Sequence, residues 1–228
     1  FLYGYVDSDI NYSVVDWLLE LKKTLSQIEL KNKIPILVGG SGLYINAVIN
    51  GLVNIPLISE KIKNQSLIKF NEVGIEKFRQ INFQIDPRSI ENNNDKHRLL
   101  RAYGIFLQTK KNISFWYKQP RVKTVNKNIY SFFITSERKS IYKKCEIRFE
   151  DMLAKGAIYE VKKLHNSNID RSLPISKSLG VKWLLSYLDN NISYEEAVKL
   201  SKRDTRRYVK RQFTWFKHNY IPYKVVNI

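Results

Sequence analysis

The sequence predicts an α/β protein: buried strands of a parallel sheet among helices, with a mostly helical, polar stretch in between. Three observations point there. Residues 34–38 (Ile34, Pro35, Ile36, Leu37, Val38) are a short continuous apolar run, the pattern of a strand buried on both faces of a parallel sheet. That run stops at Gly39-Gly40-Ser41-Gly42, and an apolar helix follows over residues 43–49, ending at Gly51. From Pro56 to about Asn128 the pattern turns mostly helical and polar.

Residues 13–30 read as an amphipathic helix, because Val14, Trp17, Leu18, Leu21, Leu25 and Ile28 recur at steps of three and four. Ser13 is a candidate N-cap, with Asp16 three residues on to complete a capping box. Strand, glycine turn and helix over 34–49 form the unit in which ligands bind at the carboxyl end of the strand. The helix N-terminus there offers free N–H groups to an anion, although a glycine run of this kind also serves as a plain structural turn. Asp86-Pro87 and residues 91–94 mark turns. Residues 95–109 form a helix with Leu99, Leu100, Ala102, Tyr103 and Phe106 inward and His97, Arg98 and Arg101 outward. Residues 130–135 make a second buried strand. Helices follow over 137–165, interrupted at Gly156, then 176–189 and 193–219, the last with Ser193 and Glu196 as a capping box. A terminal strand over 223–226 closes the sheet.

The charge is unusual. Thirty-nine Lys and Arg oppose 21 Asp and Glu, a formal net charge of +18. An excess that large favours a polyanionic partner, nucleic acid before an anionic membrane surface. It is also concentrated: residues 96–148 hold 14 Lys and Arg against Glu137 and Glu146, and residues 199–217 hold eight against Asp204. A solvated surface rich in Lys is the plainer alternative. Cys145 is the only cysteine, which excludes an intrachain disulfide, suits a reducing compartment and reads as packing. Three His and one Cys, widely scattered, give no zinc-site spacing. No apolar run approaches the ~20 residues of a membrane helix.

In the last basic stretch, Arg203, Arg207 and Lys210 or Arg211 share a helix face, and Arg206 with Lys210 lines the adjacent stripe. Guanidinium forks match phosphate geometry. If the Arg stems merely covered a core, carboxylate partners would be expected close by, and this segment supplies almost none.

Here the residues carry a resemblance. Thr205-Arg206-Arg207-Tyr208, Lys210-Arg211-Gln212 and Thr214-Trp215 are similar to the C-terminal signature of the tRNA dimethylallyltransferase (IPP transferase) family. So is the stretch 35–44, from Pro35 through Gly39-Gly40-Ser41-Gly42 to Tyr44, where the family usually has Thr at the Ser41 position. Tyr12-Ser13-Val14, Asn94-Asp95 with Arg98 and Arg101-Ala102, Arg148-Phe149 with Met152-Leu153, Leu179-Gly180 with Lys182, and residues 193–197 fit in family order.

The resemblance implies transfer of a dimethylallyl group from its diphosphate to N6 of adenine 37 in tRNAs reading codons that begin with U. The base is flipped out of the anticodon loop to be reached. It implies an α/β, P-loop kinase-like core with a parallel sheet, here residues 1–56 and 129–228, and a helical tRNA-binding insert, residues 57–128. Ser41 would contact the target nucleotide as the catalytic-site residue. Lys63, His97, Arg98 and Arg101 would meet the tRNA, as would the loop of Lys177, Ser178, Leu179, Gly180, Val181 and Lys182. Arg148 and Lys144 would line the diphosphate side, with Lys144 standing where the family has Arg and so lacking the bidentate fork. Partners would be the tRNA anticodon arm and dimethylallyl diphosphate, the enzyme a cytoplasmic monomer using Mg²⁺.

The family also has a Walker-type nucleotide-binding glycine loop and a catalytic Asp in an Asp-Ser motif. Neither occurs after Phe1, and residues 39–42 cannot replace the loop because no Lys-Ser/Thr pair follows. The expectation is therefore a chain that starts partway through a longer polypeptide, without the metal ligands, the general-base Asp or the first core strand, and inactive and poorly stable alone. Two other readings stay open: an inactive remnant that only binds RNA, and a P-loop small-molecule kinase relative. The +18 charge and the two basic helices count against the second.

Overall fold

The computed structural model describes residues 1–90 and 95–228, and of Ser89 and Ile90 the backbone alone. The turn expected over 91–94 lies outside the described residues. The chain divides into two units, Phe1–Ile49 with Thr124–Ile228, and Asn50–Lys123.

The first unit opens with α1 (Val14–Leu30) and α2 (Gly42–Asn50). The N-terminus of α1 is fixed as the sequence predicts. The Asp16 N–H donates to Ser13 Oγ at 3.3 Å and the Ser13 N–H donates to Asp16 Oδ2 at 2.9 Å, a reciprocal capping box. The Ser13 hydroxyl also donates to Asp16 Oδ2 at 2.6 Å, and this bond, with the one from the Ser13 N–H, holds the Asp16 carboxyl below the usual carboxylate range.

In the second unit, β1 (Leu52–Val53) pairs antiparallel with β2 (Arg121–Val122), so the two ends of the unit are tied together. Between them lie α3 (Glu60–Ile85, kinked at Gly74), α4 (Pro87–Ile90), α5 (Lys96–Thr109) and α6 (Ile113–Tyr117). Its core is Phe78, Leu99, Ala102, Ile105 and Ile113. Phe78 meets Phe70 and Tyr103 edge to face, with centroids 5.4 and 5.0 Å apart. The buried Asp86 carboxylate accepts from the Ser114 N–H and hydroxyl, both at 2.9 Å, which fixes the start of α6.

The first unit resumes with β3 (Phe132–Thr135), α7 (Arg138–Ala154), α8 (Ala157–Asn166), a 3-10 turn (Pro174–Lys177), α9 (Val181–Leu188), α10 (Tyr194–Asn219) and β4 (Lys224–Asn227). The break between α7 and α8 falls at Gly156, as expected. β3 and β4 pair in parallel, Phe132 opposite Lys224 through Thr135 opposite Asn227. Val161, Leu184, Leu185 and Ala197 form a core between α8, α9 and α10.

Two strand expectations need correction. Residues 34–38 form no strand, and their apolar side chains face outward, Ile34 at 89%, Ile36 at 85% and Val38 at 73% exposure. A strand exists only where a neighbour takes its backbone hydrogen bonds, and no strand among the described residues flanks this run. The strand over 130–135 forms as β3, but it is half-buried on one face and exposed on the other. Phe133 stacks on Phe216 of α10 at 5.3 Å, while Phe132 and Ile134 are exposed. A two-stranded sheet covered by one helix leaves the alternate side chains outside. No helix among the described residues is long and apolar enough to cross a membrane.

Phe78→Ala empties the centre of the second unit. It should lower unfolding free energy by about 3–5 kcal/mol, measured by urea titration monitored by circular dichroism.

Candidate nucleic-acid interface

Helix α10 carries most of the site. Ser193 caps it, its hydroxyl accepting from the Glu196 N–H at 3.2 Å, while the Glu196 carboxylate faces Lys199 at 3.8 Å. The expected shortage of carboxylate partners is half right. Asp204, within the segment, meets Arg203 at 3.2 Å and Arg207 at 3.7 Å. The remaining partners come from α7, where Glu146 pairs with Arg206 and Glu150 with Lys202. Arg206 and Lys202 therefore join two helices, whereas Arg207 and Arg211 lie on the wall of an open groove.

Asp204 organises that wall. It accepts from the Trp183 indole N–H at 2.7 Å, and Trp183 lies between two cations, Lys182 Nζ at 4.3 Å and Arg203 at 5.7 Å from its ring. Burial pushes the Asp204 carboxyl up. The bonds from Trp183 and Arg203, with the charges of Arg203 and Arg207, outweigh it and hold the group below the usual range.

The groove has a volume of about 750 Å³. Of the expected loop, Lys177, Leu179 and Lys182 line it. Ser178 is exposed, its hydroxyl on the Pro174 carbonyl at 3.4 Å, and Val181 is half-buried against the α8–α10 core. Gly180 sets the turn. Its φ is +85°, and an added Cβ would stand 2.8 Å from the Phe149 ring, so a larger residue would both strain the backbone and lift the loop off α7.

The glycine turn at 39–42 is held by the far end of α10. Gln212 Nε2 donates to the Gly40 carbonyl at 2.8 Å, and Trp215 covers Gly42 so closely that a Cβ there would overlap the indole. Ser41, half-buried, starts α2, its carbonyl accepting from the Ile45 N–H at 3.1 Å. The sequence reading did not single out Gln212 and Trp215 as its clamp. Their spacing of three, on the face that also carries Phe216, was the available signal. Lys144 and Arg148 are exposed on α7, one turn apart. Glu146 and Glu150 follow two residues on, about 200° around a helix, so the two cations point away from α10.

In the other unit, His97, Arg98 and Arg101 are exposed on one side of α5, with Leu99, Ala102 and Ile105 buried on the other. The Asp95 carboxylate caps this helix, accepting from the Arg98 N–H at 2.9 Å. Asn94 lies outside the described residues. Lys63, on α3, is paired with Glu60 at 2.6 Å, which offsets its charge. Lys96, not expected to matter, stands 4.6 Å over the Phe70 ring. Among the described residues no group of three or more His, Cys, Asp or Glu could hold a metal ion. The Mg²⁺ implied by the resemblance finds no donor set among them.

A glycine turn clamped under a basic helix, and a cationic groove on that same helix, mark this α/β protein. The chain belongs to the IPP transferase family, whose family model matches residues 1–219. It is 38% identical over 220 residues to a tRNA dimethylallyltransferase of Ehrlichia ruminantium (strain Welgevonden), covering 96% of this chain and 73% of that relative. It is 39% identical over 230 residues to one of Wolbachia sp. subsp. Drosophila simulans (strain wRi), covering 99% and 77%. Among solved structures it resembles the tRNA isopentenylpyrophosphate transferase of Bacillus halodurans, with a TM-score of 0.64 and 29% identity over 98% of this chain and 70% of that one. A eukaryotic dimethylallyltransferase acting on tRNA gives a TM-score of 0.78 over 98% of this chain and 58% of that one; at 22% identity the likeness shows the fold alone. The family is one of tRNA prenyltransferases.

Two outcomes are expected. Gly42→Ala forces the Trp215 indole aside and should cost roughly 1–3 kcal/mol of stability. Gly39→Ala, whose Cβ meets nothing within 4 Å, should cost much less. Asp204 has a lowered folded-state pKa, so its contribution is complete above the unfolded value of about 3.9 and is lost as pH falls through the folded value. Thermal melts should show wild type above Asp204→Asn near neutral pH, with the gap closing in acid; a gap of constant size would contradict the assignment.

Proposed function

We propose that this chain belongs to an enzyme that moves a dimethylallyl group from dimethylallyl diphosphate to N6 of adenine 37 in tRNAs reading codons that begin with U, as a cytoplasmic monomer. The carrying observation is the single groove on which loop cations Lys177 and Lys182 meet Arg207 and Arg211 of the signature helix. Cations from two separate segments facing one open groove suit a continuous phosphate backbone better than a compact anion. The names of the relatives support the same substrate.

In this reading the chemistry is a substitution at the allylic carbon. The bond from that carbon to the diphosphate oxygen breaks, the bond to N6 forms, the diphosphate takes the electron pair, and one N6 proton leaves to a base. The chain's own residues hold the reactants. Ser41, on the clamped turn, offers a hydroxyl to the adenine. The family resemblance assigns Lys144 and Arg148 to the leaving diphosphate, where they would offset its growing charge, although both point away from α10 and from the turn that carries Ser41. The loop of Lys177, Ser178, Leu179, Gly180, Val181 and Lys182 holds the RNA in the groove. In the Asn50–Lys123 unit, His97, Arg98 and Arg101 grip the anticodon stem, with Lys63 a weaker contact because of Glu60. Mg²⁺ belongs in this reading to the complete family enzyme, with its ligands outside residues 1–228.

The test has a binding arm and a transfer arm. The chain should bind a tRNA carrying adenine 37 with log K falling steeply against log salt. Lys182→Glu should weaken that binding by about tenfold or more, the scale of a lost charge-assisted contact. Salt-independent affinity would overturn the reading. In protein expressed from the whole reading frame, nucleoside mass spectrometry should find dimethylallyl on adenine 37, and Arg148→Ala should raise KM for the diphosphate donor. Binding with no transfer would leave only an RNA-binding protein.

A further inference from the structure

The groove has a fifth cation that no motif contains. Arg171 lies ahead of the loop 177–182, and it lines the groove together with Lys177, Lys182, Arg207 and Arg211. It is built in from two directions. Its backbone sits at the centre of a tight turn, where the Asp170 carboxylate accepts from the Ser172 N–H at 2.8 Å and the Ser172 hydroxyl at 2.7 Å. Its side chain is tethered by one terminal nitrogen to Asp189 Oδ1 at 3.0 Å. The same oxygen meets His165 Nε2 at 2.8 Å, so Asp189 is itself held from α8.

This tether has a consequence for the groove's electrostatics. Its two acids, Asp189 and Asp204, are each already engaged, the first by Arg171 and His165, the second by Trp183, Arg203 and Arg207. Neither stands as a bare negative charge on the wall. A guanidinium has five N–H donors in a rigid fork, and fixing one edge on a carboxylate aims the rest at low entropic cost.

We propose that Arg171 is an additional phosphate contact for the RNA backbone, extending the groove beyond the loop 177–182, and that Asp189 is its positioning residue. The inference rests on the RNA-binding reading above and adds to it a residue and a direction: the bound strand continues past Lys177 toward the C-terminal end of α9.

Asp189 supplies the sharpest test. If it were only an acid on the groove wall, removing it would strengthen binding of a polyanion. If it positions Arg171, removing it weakens binding although a negative charge has gone. The experiment measures affinity for tRNA across a salt series in protein expressed from the whole reading frame, with melting curves to confirm that each variant is folded. Arg171→Ala should lower affinity about tenfold and make the slope of log K against log salt shallower by about 0.7–0.9, one phosphate contact. Arg171→Lys should keep the slope and lose part of the affinity. Asp189→Ala should weaken binding with the slope reduced. Lys182→Glu separates this idea from the reading beneath it. If Lys182→Glu weakens binding while Arg171→Ala leaves affinity and slope unchanged, Arg171 is only a structural ion pair and the proposal falls. Tighter binding by Asp189→Ala overturns the positioning role. If neither Lys182→Glu nor Arg171→Ala matters, the RNA-binding reading itself falls.

Discussion

A hydrogen bond between residues 172 positions apart in sequence, Gln212 Nε2 to the Gly40 carbonyl, fixes the geometry on which the candidate site depends. It locks a glycine turn that no strand supports onto the C-terminal half of α10, and Trp215 completes the clamp on Gly42. Phe213 and Phe216, on the same stretch of helix, hold β3. Further back, Asp204 and Arg207 wall the cationic groove. One helix thus sets the position of the turn, the small parallel sheet and the groove, so the local folding of α10 is a precondition for all three.

The same helix shows how a strongly basic segment divides its charges. Arg206 and Lys202 face acids on α7, and pairs as exposed as these contribute little net stability each. Their role is to set which way α10 is rotated against α7. With that rotation fixed, Arg207 and Arg211 fall on the groove and the Lys144 and Arg148 side of α7 stays outward. Net charge alone would not separate cations that dock helices from cations that face a ligand.

Helix limits were legible because their determinants are local. Ser13 with Asp16, Ser193 as the N-cap of α10, and Gly156 each act within a few residues, and each lies where the pattern put it; Glu196 turns to Lys199 and leaves the expected capping box half formed. Strands depend on neighbours that may be anywhere in the chain, and the apolar run 34–38 carries the composition of a strand without the pairing of one. The basic character of the groove was visible in the motifs. The acids that partner the cations are harder to see, because Glu146 lies 60 residues from Arg206 on the α7–α10 seam and Asp189 lies 18 from Arg171 in the groove. Arg171 matches no motif and sits in a polar turn like many others, so nothing local in the sequence marks it. Gln212 and Trp215 were recognised as signature letters, but their contact with Gly40 and Gly42 is a property of the folded chain alone.

Because α10 runs unbroken over Tyr194–Asn219, it also works as a ruler. Arg207 and Gln212 are five residues apart on it, roughly 7.5 Å of axial rise at 1.5 Å per residue. A strand seated against Arg207 would meet the glycine turn at an offset the helix dictates, and no hinge lies between the two marks to adjust it. Under the proposed RNA-binding reading, that fixed rise, with a rotation of about 140° around the helix, sets the path from the groove to the turn by measured length rather than by the shape of any single base.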